Sequence, residues 1–225
     1  MAKAIRDFNE SLNKAQREIL DFLFPRKCPF CGTPAGKDLL CGKCRESLPW
    51  HEGVREGAPF GRCGAVFRYE GSAREAILRY KFKSYLDYLP CFGSLMAETA
   101  AQQFAGEFDA ITWVPVSKKR LRKRGFDQTR SLAASLCVDW HVDPMETLEK
   151  IADNPPQSGI SDPAERRANV LGVYRAVHPE NIAGKRFLLV DDIITTGATL
   201  GECVRVLKEA GAADVICITL ADAKE

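Results

Sequence analysis

The run FLLVDDIITTGATL, Phe187 to Leu200, sets two carboxylates side by side between an apolar stretch and a threonine-rich turn. The apolar part reads as a buried strand, which by itself gives no reason for Asp191 to stand beside Asp192, where like charges repel. The TTGAT segment leads into a helix, whose first backbone N–H groups lack partners and carry partial positive charge. Hydroxyls at Thr195, Thr196 and Thr199, the backbone at Ala198, and Gly197, which permits close approach, complete an anion cradle of phosphate size. In front of it, the paired acids can accept hydrogen bonds from vicinal hydroxyls or help hold a divalent cation. A small molecule that offers both a phosphate and a nearby vicinal diol is a ribose 5-phosphate. The expected division of labour is that the acids read the sugar and the threonine loop reads its phosphate. The segment is neither a Walker loop nor a Gly-x-Gly-x-x-Gly turn.

A second constellation lies in CPFCGTPAGKDLLCGKC. Cys28 with Cys31, and Cys41 with Cys44, form two Cys-x-x-Cys pairs, each beside glycines that allow a tight backbone. Four thiolates satisfy tetrahedral Zn2+ and leave no open position for water, so the expected site is structural. His51 and Cys63 then find no vacancy as ligands. The remaining cysteines, Cys91, Cys137, Cys203 and Cys217, stand in apolar or helical contexts and read as core.

Those groups need elements to position them. A chain of 225 residues, 45% apolar and 28% charged, is that of an ordinary globular protein with one sizeable core. A net charge of +2 gives no global case for a nucleic acid or a membrane. No apolar run approaches the roughly 20 residues that span a bilayer, and MAKAIRDFNESLNK lacks a signal peptide's apolar core. With an odd cysteine count and tight pairs, the chain reads as cytoplasmic and reduced.

Three regions follow. Residues 1–24 predict an amphipathic helix whose acidic and basic residues balance, suited to packing on its own protein or a protein partner. Residues 25–58 carry the zinc module. From about 59 to 225, strands alternate with helices, which predicts a mostly parallel α/β sheet flanked by helices. AVFRYEG, FDAITWVPV, METLEKI, NVLGVYRAV, KRFLLVDD and ADVICITLA read as strands. SAREAILRYKF, CFGSLMAETAAQQF, DQTRSLAASLC and ATLGECVRVLKEAG read as helices, the last capped by Gly211. ADNPPQSGISDPAERRAN has no clear periodicity, and loops of that length are functional or disordered.

Diacid plus TTGAT matches the phosphoribosyl pyrophosphate signature of type I phosphoribosyltransferases. WVPVSKKRLRKRGFDQTRSLA, PPQSGISDPAERRANVLGVY and CPFC…CGKC, in that family's order around VDDIITTGATL, resemble the ComF family. The resemblance implies a type I phosphoribosyltransferase fold with an N-terminal zinc module and a link to DNA uptake. It assigns Val116, Ser117 and Lys118 to a pyrophosphate loop; Gln157, Arg166 and Arg167 are open to two readings, a flexible loop that closes over the reacting centre as in that fold, or an ordinary surface loop. Two departures stand out: Asp127 replaces the family's usual Asn, and Cys63 is alone in GRCG, so a second zinc module is absent or reduced. The basic run Lys118–Arg124 is open to three readings: pyrophosphate contact, single-stranded DNA contact with Phe126 as the nearby stacking residue, or a solvated helix start. The expected activity is Mg2+-dependent transfer of a phosphoribosyl group to a nitrogen acceptor, which requires no protein nucleophile. The competing class is a non-catalytic DNA-uptake factor that binds single-stranded DNA and a phosphoribosyl ligand.

Overall fold

A computed structural model describes residues 26–35, 39–153 and 169–224. The amphipathic helix expected before residue 25 lies outside them. The chain divides into two compact units at Leu48 and Pro49. This boundary comes earlier than the 58/59 division expected from sequence, because Val54–Gly57 form an edge strand of the second unit.

The first unit is built around its cysteines. Cys28 N–H donates to Thr33 O at 2.8 Å and Gly32 N–H to Cys28 O at 2.9 Å, a tight knuckle that turns the chain at the first pair. Helix α1, Gly42–Ser47, carries the second pair at its start. Phe30, Leu40 and Leu48 are buried, as are Cys28 and Cys44.

The second unit holds strands β1 (Val54–Gly57), β2 (Gly61–Arg68) and β3 (Ala110–Trp113), with helices α2 (Gly71–Lys83) and α3 (Leu89–Phe104) between the last two. Helices α4 (Lys118–Arg124) and α5 (Gln128–Cys137) follow, then β4 (Leu148–Lys150), β5 (Tyr174–Ala176), β6 (Arg186–Ile194), α6 (Ala198–Glu209) and β7 (Asp214–Asp222). One sheet has the order β1-β2-β7-β6-β3. Only the β1–β2 pair is antiparallel; β2–β7, β7–β6 and β6–β3 run parallel. Strands β4 and β5 form a separate antiparallel pair.

Central β6 and β7 are apolar nearly throughout because helices cover both faces, so neither strand needs the alternation of a half-solvated sheet. Helices α3 and α5 pack together on one face, while α6 and β5 cover the other. Helix α6 buries Leu200, Cys203, Val206 and Leu207 on one side. Gly211, at φ +96°, lets the chain turn back into β7, as the sequence predicts. The expected core cysteines Cys91, Cys137, Cys203 and Cys217 are all buried. Strand β6 is longer than expected: it continues past the acids, with Ile193 opposite Ala221 and Ile194 opposite Asp222.

Candidate functional site

Strand alternation answers the question that the adjacent acids raise. Successive side chains on β6 point to opposite faces of the sheet. Asp191 follows Phe187 and Leu189 into the side covered by α6, whereas Asp192 follows Leu188 and Val190 to the other side. The two carboxylates therefore occupy different environments on consecutive residues.

Asp191 is buried, and its Oδ1 accepts the backbone N–H of Asp192 at 2.8 Å. Burial holds its carboxyl well above the ordinary range, the charge of Asp192 adds to that, and Lys81 and Lys150 oppose it. Asp192 makes an ion pair with Lys81, Nζ to Oδ2 2.9 Å. Lys81 projects from α2 and Lys150 from β4. Lys150 Nζ donates to Tyr174 Oη at 3.4 Å and sits over the same ring, and burial pulls its pKa down to about 8, with Arg120's charge assisting. Neither lysine belongs to a recognisable motif; each reaches the diacid only through folding.

The loop that follows β6 is short. Thr195 is exposed, Thr196 Oγ1 accepts Ala198 N–H at 3.4 Å, and Gly197, at φ +78°, is the residue before α6. The reason for the glycine differs from the one expected. A Cβ at Gly197 would lie 2.1 Å from the ring of Phe60, so the space is filled by a side chain from the turn between β1 and β2. That turn is tied to the end of β7: Arg55 lies over the Phe60 ring and pairs with buried Asp222 at 2.7 Å. His51 Nε2 stands 3.5 Å from the same carboxylate, so within the second unit this histidine has a partner of its own.

Strand β3 lies beside β6, with Trp113 opposite Val190 and Val114 N–H donating to Val190 O at 3.0 Å. The fold thereby brings Val116, Ser117 and Lys118 to the same edge as Asp192. Ser117 is buried and caps α4, its Oγ accepting Arg120 N–H at 3.3 Å; Lys118 is exposed. Asp127 has a clear structural task. Its Oδ1 accepts Arg130 N–H at 3.0 Å as the cap of α5, and its Oδ2 accepts Val116 N–H at 3.4 Å.

The basic run is a full short helix, α4, with no buried residue. Its aromatic neighbour is not the one expected. Phe126 packs edge-on against buried Tyr80, whereas Phe82, 66% exposed, lies under the Arg124 guanidinium at 5.1 Å. Gln157, Arg166 and Arg167 lie outside the described residues.

In the first unit, the sulfurs of Cys28, Cys31, Cys41 and Cys44 all lie within 4.8 Å of one another. Cys31 and Cys41 Sγ are 3.5 Å apart, and Thr33 Oγ1 is 2.9 Å from Cys31 Sγ. Four convergent thiols suit tetrahedral zinc. Cys63 belongs to the second unit, buried in β2 opposite Cys217.

Comparison with known proteins agrees with this geometry. The phosphoribosyl transferase domain matches residues 122–225 and the double zinc ribbon domain residues 19–75. Among the described residues one four-cysteine cluster is found, and the ribbon match together with that cluster supports a structural zinc. The competence protein ComFC of Bacillus subtilis is 29% identical over 86% of this chain and 76% of its own length. ComFC of Streptococcus pneumoniae is 29% identical over 86% and 79%, and the DNA utilization protein YhgH of Escherichia coli K12 is 28% identical over 86% and 84%. A solved structure of the glutamine phosphoribosylpyrophosphate amidotransferase from B. subtilis aligns with 63% of this chain and 30% of its own at 26% identity, with a TM-score of 0.42. The domain matches, the mostly parallel sheet and the four-cysteine cluster support a phosphoribosyltransferase-like protein with an N-terminal zinc-ribbon module. The ComFC competence proteins are homologues of this chain at 29% identity over most of its length. No helix among the described residues is long and apolar enough to cross a membrane.

Proposed function

We propose that this protein binds phosphoribosyl pyrophosphate in the cytosol and transfers its phosphoribosyl group to a nitrogen acceptor, releasing pyrophosphate. The observation that carries the reading is the seating of Thr195–Gly197 between the diacid of β6 and the start of α6, beside the Val116–Lys118 loop at the end of β3. In this reading the Thr195–Thr199 segment holds the 5-phosphate, Asp192 accepts a sugar hydroxyl, and Val116 to Lys118 face the pyrophosphate.

The bond from the anomeric carbon to the pyrophosphate oxygen breaks with its electron pair leaving on pyrophosphate. A bond from the acceptor nitrogen to that carbon forms, and the nitrogen sheds its proton. No side chain need attack; the chain's contribution is to hold the reacting atoms in line and surround developing charge with fixed dipoles. Asp192, ion-paired to Lys81, offers a carboxylate suited to Mg2+, which takes one or two carboxylates together with substrate phosphates. When bound, that ion would neutralise charge on the leaving pyrophosphate.

The test is a thermal melt with phosphoribosyl pyrophosphate and Mg2+, followed by pyrophosphate release across a panel of nitrogen bases. At a hundredfold excess over the dissociation constant, linkage gives about 2.7 kcal/mol, a shift of roughly 5–10 °C for a chain of this size. A melting point indifferent to millimolar ligand overturns the reading. Binding without turnover on any base would leave a non-catalytic phosphoribosyl-binding protein.

A second reading, contact with single-stranded DNA, is favoured by one observation: α4 presents Lys118, Lys119, Arg122 and Lys123 to solvent beside the exposed ring of Phe82. Cations that follow a phosphate backbone beside an aromatic that can stack a base are the elements of such a surface.

A further inference from the structure

We infer that Lys81 is a positioning residue of the Asp191–Asp192 site, tethering Asp192 by an ion pair and offsetting the negative charge that an anionic sugar phosphate would otherwise meet there. The inference deepens the phosphoribosyl pyrophosphate reading and rests on it.

Lys81 Nζ lies 2.9 Å from Asp192 Oδ2, and the two side chains are only 18% and 15% exposed. This is not a loosely held surface lysine. Its neighbour Tyr80 is fully buried, donates from Oη to Gln128 O at 2.7 Å at the start of α5, and packs its ring edge-on against Phe92 and Phe126. Those contacts fix the register of α2, so the ammonium is presented to β6 by a locked helix. Burial lowers the pKa of Arg124 at the end of α4, and the charge of Asp192 opposes that shift, which places a second cation in electrostatic reach of the same carboxylate. The charge of Lys81 acts on Asp191 as well, opposing the rise that burial causes.

The carboxylate of Asp192 is a poor reception for a ligand that carries a phosphate and a pyrophosphate. Each phosphoryl oxygen would meet like charge in a site partly removed from water, where screening is weak. A cation held against Asp192 cancels much of that repulsion. It need not compete with the sugar, because a carboxylate offers about four lone-pair sites and Lys81 engages one oxygen. The ion pair also fixes the Asp192 side chain before the ligand arrives, so less ordering remains to be done on binding.

Calorimetric titration of the full chain with phosphoribosyl pyrophosphate and Mg2+, and separately with ribose 5-phosphate, tests this in Lys81→Met, Lys81→Gln and Lys81→Arg. Losing a partly desolvated charge contact should weaken phosphoribosyl pyrophosphate roughly ten- to hundredfold in the Met and Gln variants, with a smaller loss for the less charged ribose 5-phosphate. Lys81→Arg should restore affinity to within about threefold. In an Asp192→Asn background, Lys81→Met should weaken binding by less than about threefold, because the charge it offsets is gone. A lysine that merely stabilised the fold would lower the melting point without separating the two ligands or coupling to Asp192. Wild-type protein that binds while Lys81→Met and Lys81→Gln bind equally well overturns this inference alone. Wild-type protein that binds neither ligand overturns the functional reading and this inference with it.

Discussion

The ring of Phe60 occupies the position that a side chain at Gly197 would take, 2.1 Å from the ideal Cβ. The turn between the two edge strands thus supports the loop between β6 and α6, and Gly197 also holds a backbone at φ +78° that other residues adopt with strain. Gly197→Ala should therefore destabilise the ligand-free protein by roughly 2–4 kcal/mol, overpacking and left-handed strain together. Denaturant melts of Gly197→Ala, Phe60→Ala and the double variant check the contact. The double variant should be more stable than the sum of the single losses allows, and strict additivity would show that the two residues are independent.

Asp191 and Asp192, though adjacent, should respond oppositely to removal of their charge. Asp192→Asn breaks the Lys81 ion pair and should cost about 1–3 kcal/mol without ligand. Asp191→Asn removes a buried carboxyl and can keep the bond from Asp192 N–H, so at neutral pH it should raise the melting point. Equal and same-sign shifts at neutral pH would show that the sheet does not separate the two environments.

The pH dependence of that gain has a definite sign. Burial first, and Asp192 second, raise the folded-state pKa of Asp191, so the folded protein holds this proton more tightly than the unfolded chain. Its stabilising share is fully present below the unfolded value, near about 4, and is lost as pH rises towards the folded value. The melting point of Asp191→Asn relative to wild type should climb from pH 4 to pH 7.5. The range stops there because Lys150, lowered to about 8, begins to lose its proton above it and contributes the opposite trend. A difference that stays flat across the range would place Asp191 in contact with water.

Purified protein should carry one zinc per chain, measured by elemental analysis, on Cys28, Cys31, Cys41 and Cys44. Structural zinc contributes on the order of 10 kcal/mol of folding free energy, so Cys41→Ser should unfold the first unit. The metal content of Cys63→Ser should match wild type, because Cys63 is buried in the sheet of the second unit and the first unit's four cysteines already complete a tetrahedral set.

Replacing Lys119, Arg122 and Lys123 with Ala should reduce the salt dependence of single-stranded DNA binding, and Phe82→Ala should weaken binding with the salt slope retained. Binding titrations at several salt concentrations separate the two effects. A slope unchanged in the triple variant would return α4 to the role of a solvated helix.

The sequence by itself determined the chemistry that local order can encode. VDDIITTGATL holds a strand, a turn and a helix start in one run, so that local arrangement was legible without knowing where anything else lies. The cysteine pairs were legible for the same reason, since each Cys-x-x-Cys turn is local. Alternating strands and helices carried the parallel sheet, because a strand buried on both faces must be apolar on both. What only tertiary structure decided is what faces these segments. Lys81 in RYKF and Lys150 in LEKI have no local mark that sets them apart from other lysines; α2 and β4 bring them to the diacid from distant parts of the chain. Gly197 announced a need for space, but only the fold shows that Phe60 fills it. The opposition of Asp191 and Asp192 depends on β6 continuing as a strand to Ile194, and that is settled by hydrogen bonding to β7. Local sequence sets which groups are available, and long-range packing sets their partners, charge and burial.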